Sequence, residues 1–328
     1  MISTSFTRLV GVEAPVVSAP IAMSPELVAA VSNAGGLGML QGTWLTPDGI
    51  REAVQSTQAL TDRPFGINLV IDERRDEQLA AVLAAGVKVV SFFWGDPEPY
   101  LDRVRAAGAL AILTVGSAAE ARRAAALGVD AVVAQGWEAG GHVWGGVATL
   151  PLVPAVKAAV GDMPVLAAGG IADGRGLAAV LALGADAAWV GTRFLASEEA
   201  PIADVYERRV VSASEEDTVY GTMFDIGWPR APHRVLGNST TNEWQAAGEP
   251  MPGSRPGEGD IIATAPGGVD VPRYSFFPPM AGLAGDLEAM ALYAGQSVGI
   301  VGSVEPAGAI VRHMVQEAEA VLQRLAPG

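Results

Sequence analysis

His142 is one of three histidines in the 328-residue chain. It stands between two glycine pairs in the stretch QGWEAGGHVWGG, residues 135–146. An imidazole ordinarily titrates near neutrality, which suits it to general-base or hydrogen-bonding work. Glycines on both sides let a flat ligand come close. No Ser–His–acid motif accompanies His142, and no second histidine sits at metal-ligand spacing. Neither a hydrolytic triad nor a metal site is therefore expected. The plainer reading, a histidine that ties its own loop together, stays open. His233 in APHRV and His313 near the C-terminus read as ordinary surface or packing residues.

Two glycine-rich stretches could hold an anion. AAGGIADGRG covers residues 167–176, and VGTRF covers 190–194. Backbone amides at Gly169 and Gly170 lack a Cβ to keep a ligand away, and Gly191 with Thr192 could add an amide and a hydroxyl. The alternative is that these glycines only make turns. GRGLAA (174–179) has half of a dinucleotide fingerprint, but a turn with Asp173 precedes it and no acidic residue ends the next strand. A dinucleotide site is not read there. Asn68 in FGINLV and Gln135 each end an apolar run. Either could read the edge of a heterocycle or simply cap a loop. Phe92, Phe93 and Trp94 are either core or an apolar substrate wall. The clusters DERRDE (72–77) and SEED (214–217) read as solvated faces.

These residues need a scaffold, and the chain alternates two patterns. Short β-branched runs appear at 16–20, 37–40, 65–70, 87–93, 110–115, 131–136, 164–170 and 187–194. Between them lie alanine-rich segments with apolar spacing of three to four, most ending in glycine. Strand followed by helix with short links implies parallel pairing through right-handed crossovers. Eight such units imply an α/β fold, a (β/α)8 TIM barrel; an open doubly wound sheet is the rival. The unit after the sixth run is longer than the rest, with 34 residues from Gln135 to Gly169. The excess is the histidine loop, and in barrels such loops build the working face.

From about Ser212 to Met280 the periodicity stops and Pro, Gly and Trp accumulate. That is too long for a structureless loop. It reads as a lid, a small second domain or a subunit interface, the last of which would make a homo-oligomer. Helical character is expected again in GDLEAMALYAGQSVGIV and in an amphipathic last helix that packs back on the barrel. The expected organisation is a barrel over 1–211, an inserted cap or substrate region over 212–285, and returning C-terminal helices over 286–328.

Half of the residues are hydrophobic, so a large core is available. The net charge is −15 and no basic run occurs, which argues against nucleic acid as a partner. Cysteine is absent, which removes disulfides, thiolate metal sites and a thiol nucleophile. No signal-peptide pattern and no membrane-length apolar run is seen, so a cytoplasmic protein without a membrane partner is expected.

SAPIA, NAGGLGML, GINL, QGWEAGGHVWG, AAGGIADGRG, GTRF and LYAGQSVG, in that order, resemble the nitronate monooxygenase family, formerly called 2-nitropropane dioxygenases. That family is similar to the flavin-dependent enoyl-acyl-carrier-protein reductases. The resemblance covers nearly the whole chain and implies a barrel that binds FMN non-covalently under a cap. It implies Pro20, Ile21 and Ala22 beside the flavin ring, and Asn68 and Gln135 as polar contacts to it. It places Gly140 near the cofactor and makes His142 the catalytic residue. Ala168, Gly169 and Gly170, with Gly191 and Thr192, would hold the phosphate. Tyr293 to Ser297, including Gln296 and Ser297, would close over the site. No metal is implied.

Two departures stand out. Thr114 ends the fifth run where some members have lysine. His142 is followed by Val143 and Trp144, whereas many members read G-H-R-G or G-H-P-G. The first leaves no lysine there to contact the flavin; the second points to a more apolar pocket just there and a substrate other than the family's simplest. The implied activity is oxidative denitrification of alkyl nitronates by O2, with propionate 3-nitronate a candidate, giving carbonyl product and nitrite. His142 would deprotonate a neutral nitroalkane or hydrogen-bond its nitronate. An FMN-dependent NAD(P)H reductase of enoyl thioesters or quinones is the alternative. A flavin- or ligand-binding barrel without catalytic activity is a third reading.

Overall fold

A computed structural model describes residues 2–325. Residue 1 of the expected barrel block and residues 326–328 of the expected C-terminal block lie outside the described residues.

Eight strands form one parallel sheet. They are Val16–Ser18, Gly38–Gln41, Phe65–Val70, Val89–Phe93, Leu110–Val115, Ala131–Gln135, Val165–Ala168 and Ala187–Val190. From the second to the eighth, each pairs with its neighbour in chain order, and the first pairs with the last through Val16 to Ala188 and Ser18 to Val190. A parallel bridge between Val17 and Leu37 closes the remaining gap, with Ser18 N–H donating to Leu37 O at 3.0 Å. The sheet is thus a barrel, and the open-sheet rival is excluded.

The strands are short and buried on both faces, so hydrophobicity alone does not separate inside from outside; the period of two does. Val17, Met39, Val89, Ile112, Val133, Leu166 and Ala187 point inward and form one cluster. Phe6, from the helix Ser5–Val10, joins that cluster. Val16, Leu40, Val90, Leu113, Val132, Val165 and Ala188 point outward and pack with helix residues such as Leu27, Ile50, Val82, Val104 and Leu177. One step of two further along each strand, the inward positions become Gln41, Asn68, Thr114, Gln135, Ala168 and Trp189. All of these line one cavity at the C-terminal end of the barrel. The alternation that fills the core therefore also positions the site.

Capping residues fix the helix starts. Ser24, Thr46, Ser117 and Asp173 each accept from a backbone amide of the first turn. Gly128 ends its helix in the left-handed conformation at φ 80°. Helix Ala307–Leu325 packs on Gly174–Ala182 and Pro25–Asn33. No helix among the described residues is long and apolar enough to cross a membrane.

Two expectations need correction. The eighth strand stops at Val190, and Thr192–Leu195 is one helical turn, because Phe194 N–H turns back to Gly191 O at 2.9 Å. Residues 285–301 form no α-helix: Gly285 ends the short strand Ala284–Gly285, and 3-10 turns follow at Leu287–Ala289 and Gln296–Ile300. Glycines 295 and 299 sit against the backbones of Gly140 and Glu215, and that packing replaces a regular helix. Between 212 and 285 the chain forms a short helix, Ser239–Ala246, and two small antiparallel sheets.

Candidate active site

The histidine loop is not free. Gly141–His142 is a two-residue strand paired antiparallel with His233–Leu236, His142 opposite His233 and Gly141 opposite Arg234. His233–Leu236 pairs in turn with Thr218–Gly221. The loop after the sixth barrel strand is therefore a strand of the sheet above the barrel. Gly140 is required by close approach: a Cβ there would lie 2.3 Å from Gly295 N. Gly295 N–H donates to Thr192 Oγ1 at 2.9 Å, so three segments meet at this point.

Gln135 grips the loop from below. Its Nε2 donates to His142 O at 3.0 Å, and its Oε1 accepts from Trp144 N–H at 2.8 Å. Each bond adds about 1 kcal/mol. The amide expected to touch a ring is thus engaged with the loop on both sides of Val143. Trp144 Nε1 donates to Glu120 Oε2 at 2.9 Å, a second tether.

His142 stacks on Trp228 with centroids 3.9 Å apart and lies 5.3 Å from Tyr293 and 6.0 Å from Trp94. Its Nε2 is buried with no hydrogen-bond partner. An orphaned buried nitrogen of this kind costs about 1–3 kcal/mol. Burial, and secondarily the nearby His233, push the His142 pKa well below its ordinary value. The ring is therefore neutral at neutral pH. Trp94 adds backbone strain beside it, at φ 63°, a conformation that costs a non-glycine residue about 1–3 kcal/mol.

His233 is fully buried, with ring centroid 5.7 Å from that of His142. Its Nδ1 donates to Ala231 O at 2.9 Å, and its Nε2 accepts from Phe224 N–H at 3.2 Å. Burial lowers its pKa to about 4. The expectation that His233 is an ordinary packing residue understates its position, since it forms the wall behind His142. His313 pairs with Glu305 on the surface.

The cavity holds about 350 Å³. It brings together Pro20, Ile21, Ala22, Asn68, Gln135, Gly140, His142, Ala168, Gly169, Gly170, Gly191, Thr192 and Ser297. Gln296 is not brought in: it is exposed, and its main-chain N–H donates to Glu138 O at 3.0 Å. Asn68 Oδ1 accepts from Ser91 Oγ at 2.7 Å, which turns its NH2 group away from Ser91. At the glycine end, Gly169 and Gly170 have φ of 100° and 73°, conformations that side chains rarely adopt. Phe92 is core, whereas Phe93 lines the cavity. Thr114 also lines it.

No Lys, Arg, Asp or Glu is among the described lining residues. Among the described lining residues, two tyrosines and His142 are the only groups that titrate. Burial raises the pKa of both tyrosines. Tyr206 OH already donates to Tyr293 O, and Tyr293 OH donates to Phe276 O at 2.7 Å. His142 is left as the one group that can accept a proton from a ligand in this cavity.

Trp44, Trp228, Phe276 and Phe277 complete the wall and come from three separate segments. Sequence reasoning missed all four, and His233 with them. Each is an unremarkable aromatic or imidazole in its own stretch, and only tertiary pairing collects them.

A family profile described as nitronate monooxygenase matches residues 3–80 and 72–317. An indene-carboxyl-CoA dehydrogenase of Rhodococcus jostii is 39% identical, over 75% of this chain and 69% of that protein. Among solved structures, FabK from Thermotoga maritima superposes with a TM-score of 0.86 at 33% identity, covering 99% of both chains. A nitroalkane oxidase from Streptomyces ansochromogenes superposes with a TM-score of 0.79 at 31% identity, covering 98% of this chain and 99% of that one.

Proposed function

The chain belongs to the nitronate monooxygenase family, a family of flavin-dependent enzymes, and on that premise we propose that it is an FMN-dependent nitronate monooxygenase. It would convert nitronates and O2 to carbonyl product and nitrite. The observation that carries this reading is the buried, unpartnered Nε2 of His142 in a cavity whose described lining holds no carboxylate, lysine or arginine.

The lining suits FMN. Gly169, Gly170, Gly191 and Thr192 would hold the phosphate through amides and a hydroxyl, since no Lys or Arg is among the described lining residues. Ser297 offers a second hydroxyl. Pro20, Ile21 and Ala22 would lie along the ring, and the free NH2 of Asn68 would donate to its edge. When bound, FMN supplies the electron transfer between nitronate and O2.

The protein's own groups do the rest. His142, neutral because its ring is desolvated, takes the α-proton of a nitroalkane at Nε2 and hydrogen-bonds the resulting anion. Trp228 holds the imidazole face, and Gln135 fixes its main chain. Trp228, Tyr293 and the aromatic wall exclude water around the reacting carbon, which strengthens the hydrogen bond to the anion.

The similarity to the dehydrogenase and to FabK keeps a second reading, an FMN-dependent NAD(P)H reductase of enoyl thioesters or quinones. Anaerobic mixing with NADH and with NADPH separates the two. Rapid flavin bleaching supports the reductase. Unbleached flavin, together with O2 uptake and nitrite release on alkyl nitronates, supports the monooxygenase.

A further inference from the structure

The aromatic end of the cavity carries information about the substrate that the glycine end does not. Trp44 comes from the loop after the second barrel strand, Phe93 from the end of the fourth, and Trp228, Phe276 and Phe277 from connecting segments between 221 and 284. They form a chain of ring contacts: Trp44 to Phe276 at 5.4 Å, Trp44 to Trp228 at 5.9 Å, Phe93 to Trp228 at 6.5 Å, and Phe276 to Phe277 at 4.5 Å. Trp228 continues the chain to His142 at 3.9 Å. Trp44 and Phe277 are 47% and 49% exposed, so the chain runs from the proton acceptor out to the mouth.

Large apolar surface left open in this way favours a ligand of matching character. Charge makes the same point by absence of counter-ions. The described lining has no Lys or Arg, and the whole chain carries −15. A carboxylate on the substrate would be desolvated against aromatic rings without a partner, which is costly.

We propose that the substrate presents a flat, uncharged ring body to this wall. It is an aryl-substituted nitronate or its parent nitroalkane, not a carboxylate-bearing nitronate such as propionate 3-nitronate. This rests on the monooxygenase reading of the site and narrows it. The nitronate head meets His142, and the ring lies between Trp44, Phe276 and Phe277. Each aromatic pair adds about two- to tenfold in affinity.

The test compares kcat/KM for phenylnitromethane nitronate and propionate 3-nitronate on the flavin-loaded enzyme, with Trp44→Ala and Phe277→Ala alongside. Calorimetric binding of acetophenone, which is not a nitro compound, is measured on the same three proteins. The aryl nitronate should be preferred by at least tenfold, and each variant should lower that preference and weaken acetophenone two- to tenfold. Equal or better use of propionate 3-nitronate overturns this inference and leaves the monooxygenase reading intact. If neither nitronate is consumed, that reading fails and the acetophenone titration decides the substrate class. Binding weakened by both variants supports the ring-shaped ligand, and no binding overturns it.

Discussion

Gln135 holds the main chain of His142 from the end of a barrel strand, with its Nε2 donating to the His142 carbonyl at 3.0 Å. The same side chain accepts from Trp144 N–H at 2.8 Å, so one amide spans both flanks of Val143. The barrel thereby sets the position of a histidine that sits in a sheet outside it.

Removing that grip should act on turnover through His142. Gln135→Leu keeps the size but loses both bonds, about 2 kcal/mol in total. Misplacement of the imidazole should lower kcat by roughly 10–30-fold. A loosened ring also gains water, so its depressed pKa rises toward the ordinary value. The acid limb of the pH–rate profile should then move to higher pH. An unmoved limb with a lower kcat would leave Gln135 a merely structural residue.

The glycine cradle can be probed at a position free of backbone strain. Gly170 has φ 73°, and a Cβ there would lie 3.2 Å from Glu138 Cγ, so a substitution would mix strain with chemistry. Gly191 does not have a left-handed φ, and a Cβ would meet nothing closer than Ala19 Cβ at 3.6 Å. Gly191→Glu should fold and place a carboxylate beside the phosphate. Repulsion of about 4 kcal/mol at an effective dielectric of 20 would weaken flavin about a thousandfold. Circular dichroism should be native and visible absorbance lost; a fully yellow variant would contradict the cradle.

Acid should destabilise the fold through His233. Its folded pKa is about 4, below the ordinary 6.5, so the unfolded chain binds the proton more readily. The stability this gives is complete above pH 6.5 and is lost as pH falls toward 4, with about 2 kcal/mol gone by pH 5. The depressed pKa of His142 works in the same direction. His233→Gln keeps an acceptor for Phe224 N–H but does not titrate. Urea midpoints at pH 7 and pH 5 should therefore differ less in the variant than in the parent.

The barrel and the glycine end of the site were legible in the sequence because both follow from local pattern. Alternation places Asn68, Thr114 and Gln135 inward at strand ends, and the glycines at 169, 170 and 191 stand where two strands finish. The rest depends on contacts remote in the chain. His233 reaches His142 only through antiparallel pairing, and Trp44 meets Trp228 and Phe276 across three segments. Gln135 was legible as a site residue, but its partners are main-chain groups of a loop whose path no composition rule gives. Gln296 carried a motif match, yet its neighbours Tyr293 and Ser297 face the cavity and it does not.

The central claim is that His142 Nε2 takes a proton from the substrate, and the most direct measurement is His142→Asn assayed on two forms of one substrate. Asparagine keeps a donor and roughly the size but is no base. General-base catalysis contributes about 10²–10⁴-fold, so turnover of the neutral nitroalkane should fall by that order. The preformed nitronate has already lost its proton and should lose far less, with flavin content unchanged. Equal loss on both forms together with loss of flavin would contradict the claim and make His142 a residue that holds its loop.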